Sequence, residues 1–219
     1  MTDHGKRTNV YVGSPVERVE DRRFLRGQGT YIADFQRPGQ WHAAFLRSQI
    51  AHGVIRRIDA APALRTKGVH AVLTGRDVAG PIPTIPFRRP NPTIAPFAQP
   101  VVALDKVRYV GEPVAIVLAD TPEIAEDALQ LIELDIEALP PVVDAEASRT
   151  GDVRLFGDTQ SNVASAFTAR VGDADAAFRN APYVRRETFK VQRVTALPME
   201  TRGLLAEWNA AAQRIAVYG

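Results

Sequence analysis

Cysteine is absent from the 219 residues. That excludes disulfides, thiolate zinc sites, a cysteine nucleophile and any iron–sulfur cluster held by this chain. Histidine is sparse. His4, His42, His52 and His70 are not at metal-ligand spacing, and no His-Glu-x-x-His pattern occurs, so no metal site is expected. His42 and His70 fall within expected strands and His52 at a turn, where structural roles are the simpler reading. Long apolar runs are missing as well. Nothing approaches the roughly 18 residues of a membrane span. Met1 to Arg7 carries charge with no apolar stretch behind it, so no secretory leader is read and a cytoplasmic location is expected. Neither sign of charge dominates. Lys and Arg total 27 against 25 Asp and Glu, a net of +2. Such a balance does not point to nucleic acid or a membrane surface. Arg22-Arg23, Arg88-Arg89 and Arg185-Arg186 read as solvated surface, without the aromatic interleaving of a single-strand binder. Finally, Arg26-Gly27-Gln28-Gly29-Thr30 lacks the third glycine of a dinucleotide loop, and no Gly-x-Ser-x-Gly elbow occurs.

What is present reads as α+β. Residues 1–40 form a charged, turn-rich N-terminal arm, of the kind that lies over a surface of its own or another chain. From 41 to 140 the pattern is that of a folded domain. Strands are expected at Trp41–Arg47, Gly53–Ile58 and Val69–Thr74, the last stopped by Gly75. A short helical turn is expected at Ala60–Leu64. Seven of the sixteen prolines crowd into residues 80–100, which removes backbone donors and forbids helix or inner strand there. Val114–Ala119 is apolar throughout and reads as a strand buried on both faces. Thr121 then suits an N-cap and Pro122 the first helical position. The helix that follows is expected to turn Ile124, Ala128 and Leu131 to one face. Glu133–Glu137 alternates like a half-exposed strand and would complete a β-α-β unit. Residues 141–160 read as a linker. From 161 to 219 a second pattern begins, with strands over 162–170, 183–193, 204–208 and 214–218 and a helix over 173–178. These make a poor core by themselves, which suggests a missing remainder.

Three places are chemically unusual. Arg47 to Gly53 packs polar residues, with Arg47, Ser48 and His52 among them, between two strands. Glu112 puts a charge at the head of an apolar strand. Leu197 to Gly203 sets Glu200 and Arg202 two residues apart between strands. A buried carboxylate must be paired or neutral, so Glu112 and Glu200 are expected to have partners. In each place a hydrogen-bonded turn anchor is the plain reading.

Those same stretches resemble the large, molybdenum-binding subunit of the xanthine dehydrogenase, aldehyde oxidase and aerobic carbon monoxide dehydrogenase family. Arg22 to Leu25 with Gly27, Tyr31 and Asp34 is similar to the family's opening arm. Phe45-Leu46-Arg47-Ser48 with Ala51-His52 resembles its Arg-Ser-x-x-Ala-His-Ala turn, with Gly53 in place of the final alanine. Val72-Leu73-Thr74-Gly75-Arg76-Asp77-Val78, Val107 to Ala115 and Leu197-Pro198-Met199-Glu200 resemble further signatures in the same order.

The resemblance implies an α/β hammerhead domain over 41–140, followed by the incomplete start of a molybdopterin-binding domain. It implies oxidation or hydroxylation of an aldehyde, an N-heterocycle or carbon monoxide, with water as the oxygen source. It implies a molybdenum–molybdopterin cofactor (the bacterial dinucleotide form) for the complete enzyme, with iron–sulfur clusters and FAD on other domains or subunits. The partners implied are the remainder of the molybdenum-binding subunit, an iron–sulfur subunit and an FAD subunit. The family's first active-site glutamine would fall a few positions beyond Gly219, and its Gly-Gly-Gly-Phe-Gly loop and catalytic glutamate further still. No catalytic, cofactor-binding or metal-binding residue is therefore assigned. Glu200, Arg202, Glu112, Arg47 and His52 are carried as residues beside a site or as structural anchors. The chain is expected to be inactive alone. The alternative is a non-catalytic scaffold or binding module that keeps the hammerhead fold and docks a partner through the Pro81–Pro100 loop, or a gene fragment retaining that fold.

Overall fold

The computed structural model describes residues 11–78, 80–89, 91–157 and 159–219. The first ten residues of the expected arm, including His4, and Pro90 of the proline run lie outside the described residues. By contact density the chain divides into two units, one spanning Gly39–Arg186 and one built from Met1–Pro38 with Glu187–Gly219. In chain order the elements are α1 (Asp21–Leu25), β1 (His42–Arg47), β2 (Gly53–Asp59), α2 (Ala61–Leu64), β3 (Val69–Thr74), β4 (Lys106–Val107), β5 (Pro113–Ala119), α3 (Pro122–Leu129) and β6 (Glu133–Ala138). They continue with α4 (Ala145–Thr150), α5 (Ala174–Asn180), β7 (Leu205–Asn209) and β8 (Arg214–Tyr218).

The larger unit holds two three-stranded sheets, ordered β1-β5-β3 and β4-β2-β6. The apolar run of β5 earns the central place in the first sheet, pairing antiparallel with β1 on one side and β3 on the other. Its Ala115, Val117 and Ala119 are fully buried beneath Ala63 of α2 and Ala125 and Ala128 of α3. Alanines on both sides let the helix approach the sheet closely. Val114 joins Ile55, Ala103 and Val107 in a second core cluster, so β5 feeds both. The helix starts as its sequence dictates, with the Thr121 hydroxyl accepting from the Ile124 amide at 3.3 Å and Pro122 in the first turn. The buried face is Ala125 and Ala128, with Ile124 packed beside them. Leu131 lies past the end of α3 and is exposed, so the expected face was one position out of phase at its far end.

The expected β-α-β unit is not formed within one sheet. After α3 the chain crosses to the second sheet, where β6 pairs antiparallel with β2. Strand β2 carries the charges that fit this register. Arg56 pairs with Glu137 and Arg57 with Glu133 across the strands. A register shift between Ile55 and Arg57 leaves Arg56 as the extra residue, turning both arginines outward. The turn after β3 is closed by Asp77, whose carboxylate accepts from the Thr74 amide at 2.7 Å and the Thr74 hydroxyl at 2.6 Å. These bonds hold the Asp77 carboxyl below its usual range. Gly75 lies tight in that turn, since a Cβ there would stand 2.9 Å from the Ala103 carbonyl oxygen.

The stretch read as a linker contains α4, capped by the Asp144 side chain on the Ala147 amide. Helix α5 is capped in the same way by Asp173. The expected strands over 162–170 and 183–193 are not formed. Both stretches run outside any helix or strand, with Phe167, Phe189 and Val191 exposed. A strand exists only by pairing, and no neighbour among the described residues pairs with either stretch. In the smaller unit β7 and β8 form a two-stranded antiparallel hairpin. The arm lies over it: Phe35 stacks on Tyr218, and Arg37 sits over the same ring and reaches Glu207 at 3.6 Å.

Candidate functional site

Among the described residues of the larger unit, three polar side chains are buried: Ser48, His52 and Glu112. All lie in the two turns that the sequence singled out. At the end of β1 the chain must leave the sheet, and Ser48 makes that possible. Its hydroxyl donates to the Ile50 carbonyl at 2.8 Å and accepts from the Ile50 amide at 3.0 Å. Its backbone is tied to the head of β5, with the Ser48 amide on the Glu112 carbonyl and the Gly111 amide on the Ser48 carbonyl. Arg47 adds a third tie, donating to the Gly111 carbonyl at 2.9 Å, while its guanidinium lies over Phe45. The two motifs, tied by contacts such as Arg47–Gly111 across 64 positions of sequence, thus form one knot.

Glu112 is wholly enclosed, and its partner is Arg108. The carboxylate accepts from the Arg108 amide and, at 3.4 Å, from its guanidinium. Burial raises the Glu112 carboxyl above its usual range, and the Arg108 contacts pull partly against that rise. Arg108 also donates to the Lys106 carbonyl at 3.0 Å and to the Leu155 carbonyl at 3.2 Å. His52 sits on the start of β2. Its Nδ1 lies 2.8 Å from the Pro140 carbonyl and therefore carries the proton there, while its carbonyl accepts from Leu139. Its Nε2 is buried without a protein partner. Arg47 and Glu112 are brought together through Gly111 and Ser48; His52 anchors the chain as it leaves β6.

Glu200 and Arg202 belong to the smaller unit. The Glu200 carboxylate accepts from the Ile32 amide at 3.3 Å. Arg202 is exposed, and Gly203 lies so close to Ile32 that a Cβ would approach its Cγ2 to 2.6 Å. Glu200 is thus a tether for the arm.

Among the described residues no three His, Asp or Glu side chains converge as a metal ion would require. No helix among them is long and apolar enough to cross a membrane. One surface depression, of about 220 Å³, is lined by Arg56, Arg57 and Arg76 with Ile55, Ile58 and Thr74. Its arginines are met by Glu137, Glu133, Asp59 and Asp105, which leaves no surplus charge for an anion. The buried polar groups bond inward, Ser48 to its own turn, Glu112 to Arg108 and His52 to the Pro140 carbonyl. The described residues therefore do not form a cradle for a pterin.

Sequence reasoning passed over Arg108 and Asp77. Both stand inside the quoted motifs, four residues before Glu112 and three after Thr74, and the need of a buried acid for a base close by was the signal for the first. It also left His70 as a plain strand residue. That ring stacks on Trp41 at 4.4 Å and meets Asp120 at 2.6 Å.

Comparison with known proteins agrees with the architecture. The family model described as "Aldehyde oxidase and xanthine dehydrogenase, a/b hammerhead domain" matches residues 26–140. The model of a molybdopterin cofactor-binding domain matches residues 155–219. The chain is 38% identical to the nicotine 6-hydroxylase large subunit of Paenarthrobacter nicotinovorans, over 96% of its own length and 26% of that protein's. It is 33% identical to the carbon monoxide dehydrogenase large chain of Afipia carboxidovorans, over 95% and 27%. The crystal structure of quinoline 2-oxidoreductase from Pseudomonas putida 86 superposes with a TM-score of 0.79 at 36% identity, covering 94% of this chain and 26% of that one. The chain thus spans about a quarter of the length of these relatives.

Proposed function

Because the chain belongs to the aldehyde oxidase and xanthine dehydrogenase family, we propose that it supplies the hammerhead domain and the opening of the cofactor domain of a molybdenum hydroxylase large subunit. The observation that carries this reading is the order of the two family matches, 26–140 and then 155–219, within proteins about four times as long. The division proposed is an arm over 1–40, the hammerhead domain over 41–140, a connection over 141–160 and the start of the cofactor domain from 161. The reaction served is oxidation or hydroxylation of an aldehyde, an N-heterocycle or carbon monoxide with oxygen taken from water. The relatives named for nicotine and quinoline and for carbon monoxide support the N-heterocycle and carbon monoxide members of that set. Molybdenum–molybdopterin in its dinucleotide form is held by the remainder of the subunit. Electrons leave through iron–sulfur clusters and FAD on other domains or subunits. The setting is the cytoplasm.

Within that assembly no residue of this chain is catalytic. Arg47, Glu112 and His52 hold the hammerhead turns, Glu200 fastens the arm, and Arg202 lies beside it on the surface. Metal analysis and dye reduction on the purified 219-residue chain test the reading. The expected result is no molybdenum and no activity alone, with both appearing when the remainder of a large subunit and its partner subunits are supplied. Stoichiometric molybdenum with dye reduction by this chain alone would overturn it.

A further inference from the structure

Arg108 does more than neutralise Glu112. Its guanidinium lies over the Phe156 ring, 4.7 Å from the centroid, while its Nε holds the Leu155 carbonyl. Phe156 also meets Phe97 edge to face at 5.6 Å. Three segments therefore meet at one cluster: the proline-rich loop at Phe97, the turn after β4 at Arg108, and the chain beyond α4 at Phe156.

Each outer segment is a small self-bonded turn. Around Phe97 the amides of Phe97 and Ala98 bond back to Ile94 and Ala95. Beyond α4, Asn162 gathers its turn by accepting from the Leu155 amide and donating to the Val153 and Ser148 carbonyls, while the Thr159 hydroxyl closes on the Phe156 carbonyl. Neither turn adds a side chain to the buried clusters beneath the sheets. Both rest on the pair Arg108–Glu112, whose carboxylate end is fixed in the interior.

We propose that Arg108 and Phe156 form a latch that seats the 94–98 turn of the proline-rich loop and the turn gathered by Asn162 together on the hammerhead sheets, so that the two turns are released as one while the sheets stay folded. The latch spans the gap between the two family matches, which end at 140 and begin again at 155. It does not depend on the enzymatic reading. A cation over a ring and a charge-assisted bond to a carbonyl each favour the seated state modestly. Losing either is therefore expected to open the turns without unfolding the chain.

Amide hydrogen exchange on the full 219-residue chain tests this, comparing Phe156→Ala and Arg108→Lys with the parent. Phe156→Ala should speed exchange about tenfold in both 94–98 and 155–162, the loss of roughly one such contact, and leave 113–119 unchanged. Arg108→Lys keeps the charge but loses the planar fork, and should give the same paired response. Should that variant fail to fold, Phe156→Ala still decides, because it leaves Arg108–Glu112 intact. Faster exchange in 155–162 with 94–98 unmoved would overturn the latch, as would an equal rise in 113–119.

Discussion

Glu112 is the residue on which the larger unit turns. It is fully buried, and its charge is met by one side chain that is itself mostly enclosed. Removing it as Glu112→Ala would strand the Arg108 guanidinium, at a cost of about 3–5 kcal/mol. The isosteric Glu112→Gln asks a finer question. Because the folded pKa is raised, the folded chain holds the proton more tightly than the unfolded chain does. The stability that neutral Glu112 contributes is then present in acid and is lost as pH rises from the ordinary 4.5 through the raised value. The parent should therefore lose stability relative to Glu112→Gln over that window, as read by urea unfolding at a series of pH values. A relative gain would mean that Arg108 outweighs burial. Gly53, the one departure from the family's Arg-Ser-x-x-Ala-His-Ala turn, has an equally local cause. A Cβ there would stand 2.5 Å from the Ile136 Cγ2 and 2.7 Å from the Glu137 carbonyl oxygen. The sequence flagged these positions because charge or glycine stood where apolar neighbours were expected. It could not show Arg108 or Pro140 as partners, since those contacts exist only after the turns close.

Among the elements, those legible in the sequence were the ones whose pattern carries its own explanation. Strand β5 is uniformly apolar because it is flanked and covered, and α3 is announced by Thr121 and Pro122. Thr121→Ala should cost about 1 kcal/mol by removing the side-chain acceptor for the Ile124 amide, measurable as a lower midpoint with an unchanged slope in urea. An unaltered midpoint would show that water replaces the cap freely. The sheet to which β6 belongs was not legible. Its half-exposed alternation fits an edge position in either sheet, and the choice was made by the register with β2 and the cross-strand pairs of Arg56 and Arg57. The expected strands over 162–170 and 183–193 failed for a related reason. Alternation reports readiness to pair, and a ladder needs a second chain segment.

For the molecule as a whole, the core is unevenly distributed. The buried aliphatic and alanine side chains lie between Ile55 and Ile132, whereas Phe167, Val171, Phe189, Val191, Val194 and Leu197 are almost fully exposed. Amides of 114–119 should accordingly be the slowest to exchange in the isolated chain, and those of 163–173 and 183–204 should exchange close to unprotected rates. Comparable protection in the two sets would show that the later stretches find pairing partners in solution. Assignment to the family needed only ordered motifs. The candidate site offered less to read, because its buried polar groups serve the turns that carry them.

The exposed alternation around Phe189 and Val191 also has a consequence for handling and synthesis. An exposed segment with alternating apolar residues outside any sheet is a template for β-aggregation. Its safeguard is written into the same stretch, where Arg185, Arg186, Lys190 and Arg193 interrupt the apolar positions as gatekeepers. Repulsion between such charges is screened by salt. The colloidal stability of this chain should thus depend on ionic strength, and in a cell the same segment would be a ready target for holdase chaperones until a neighbouring strand covers it.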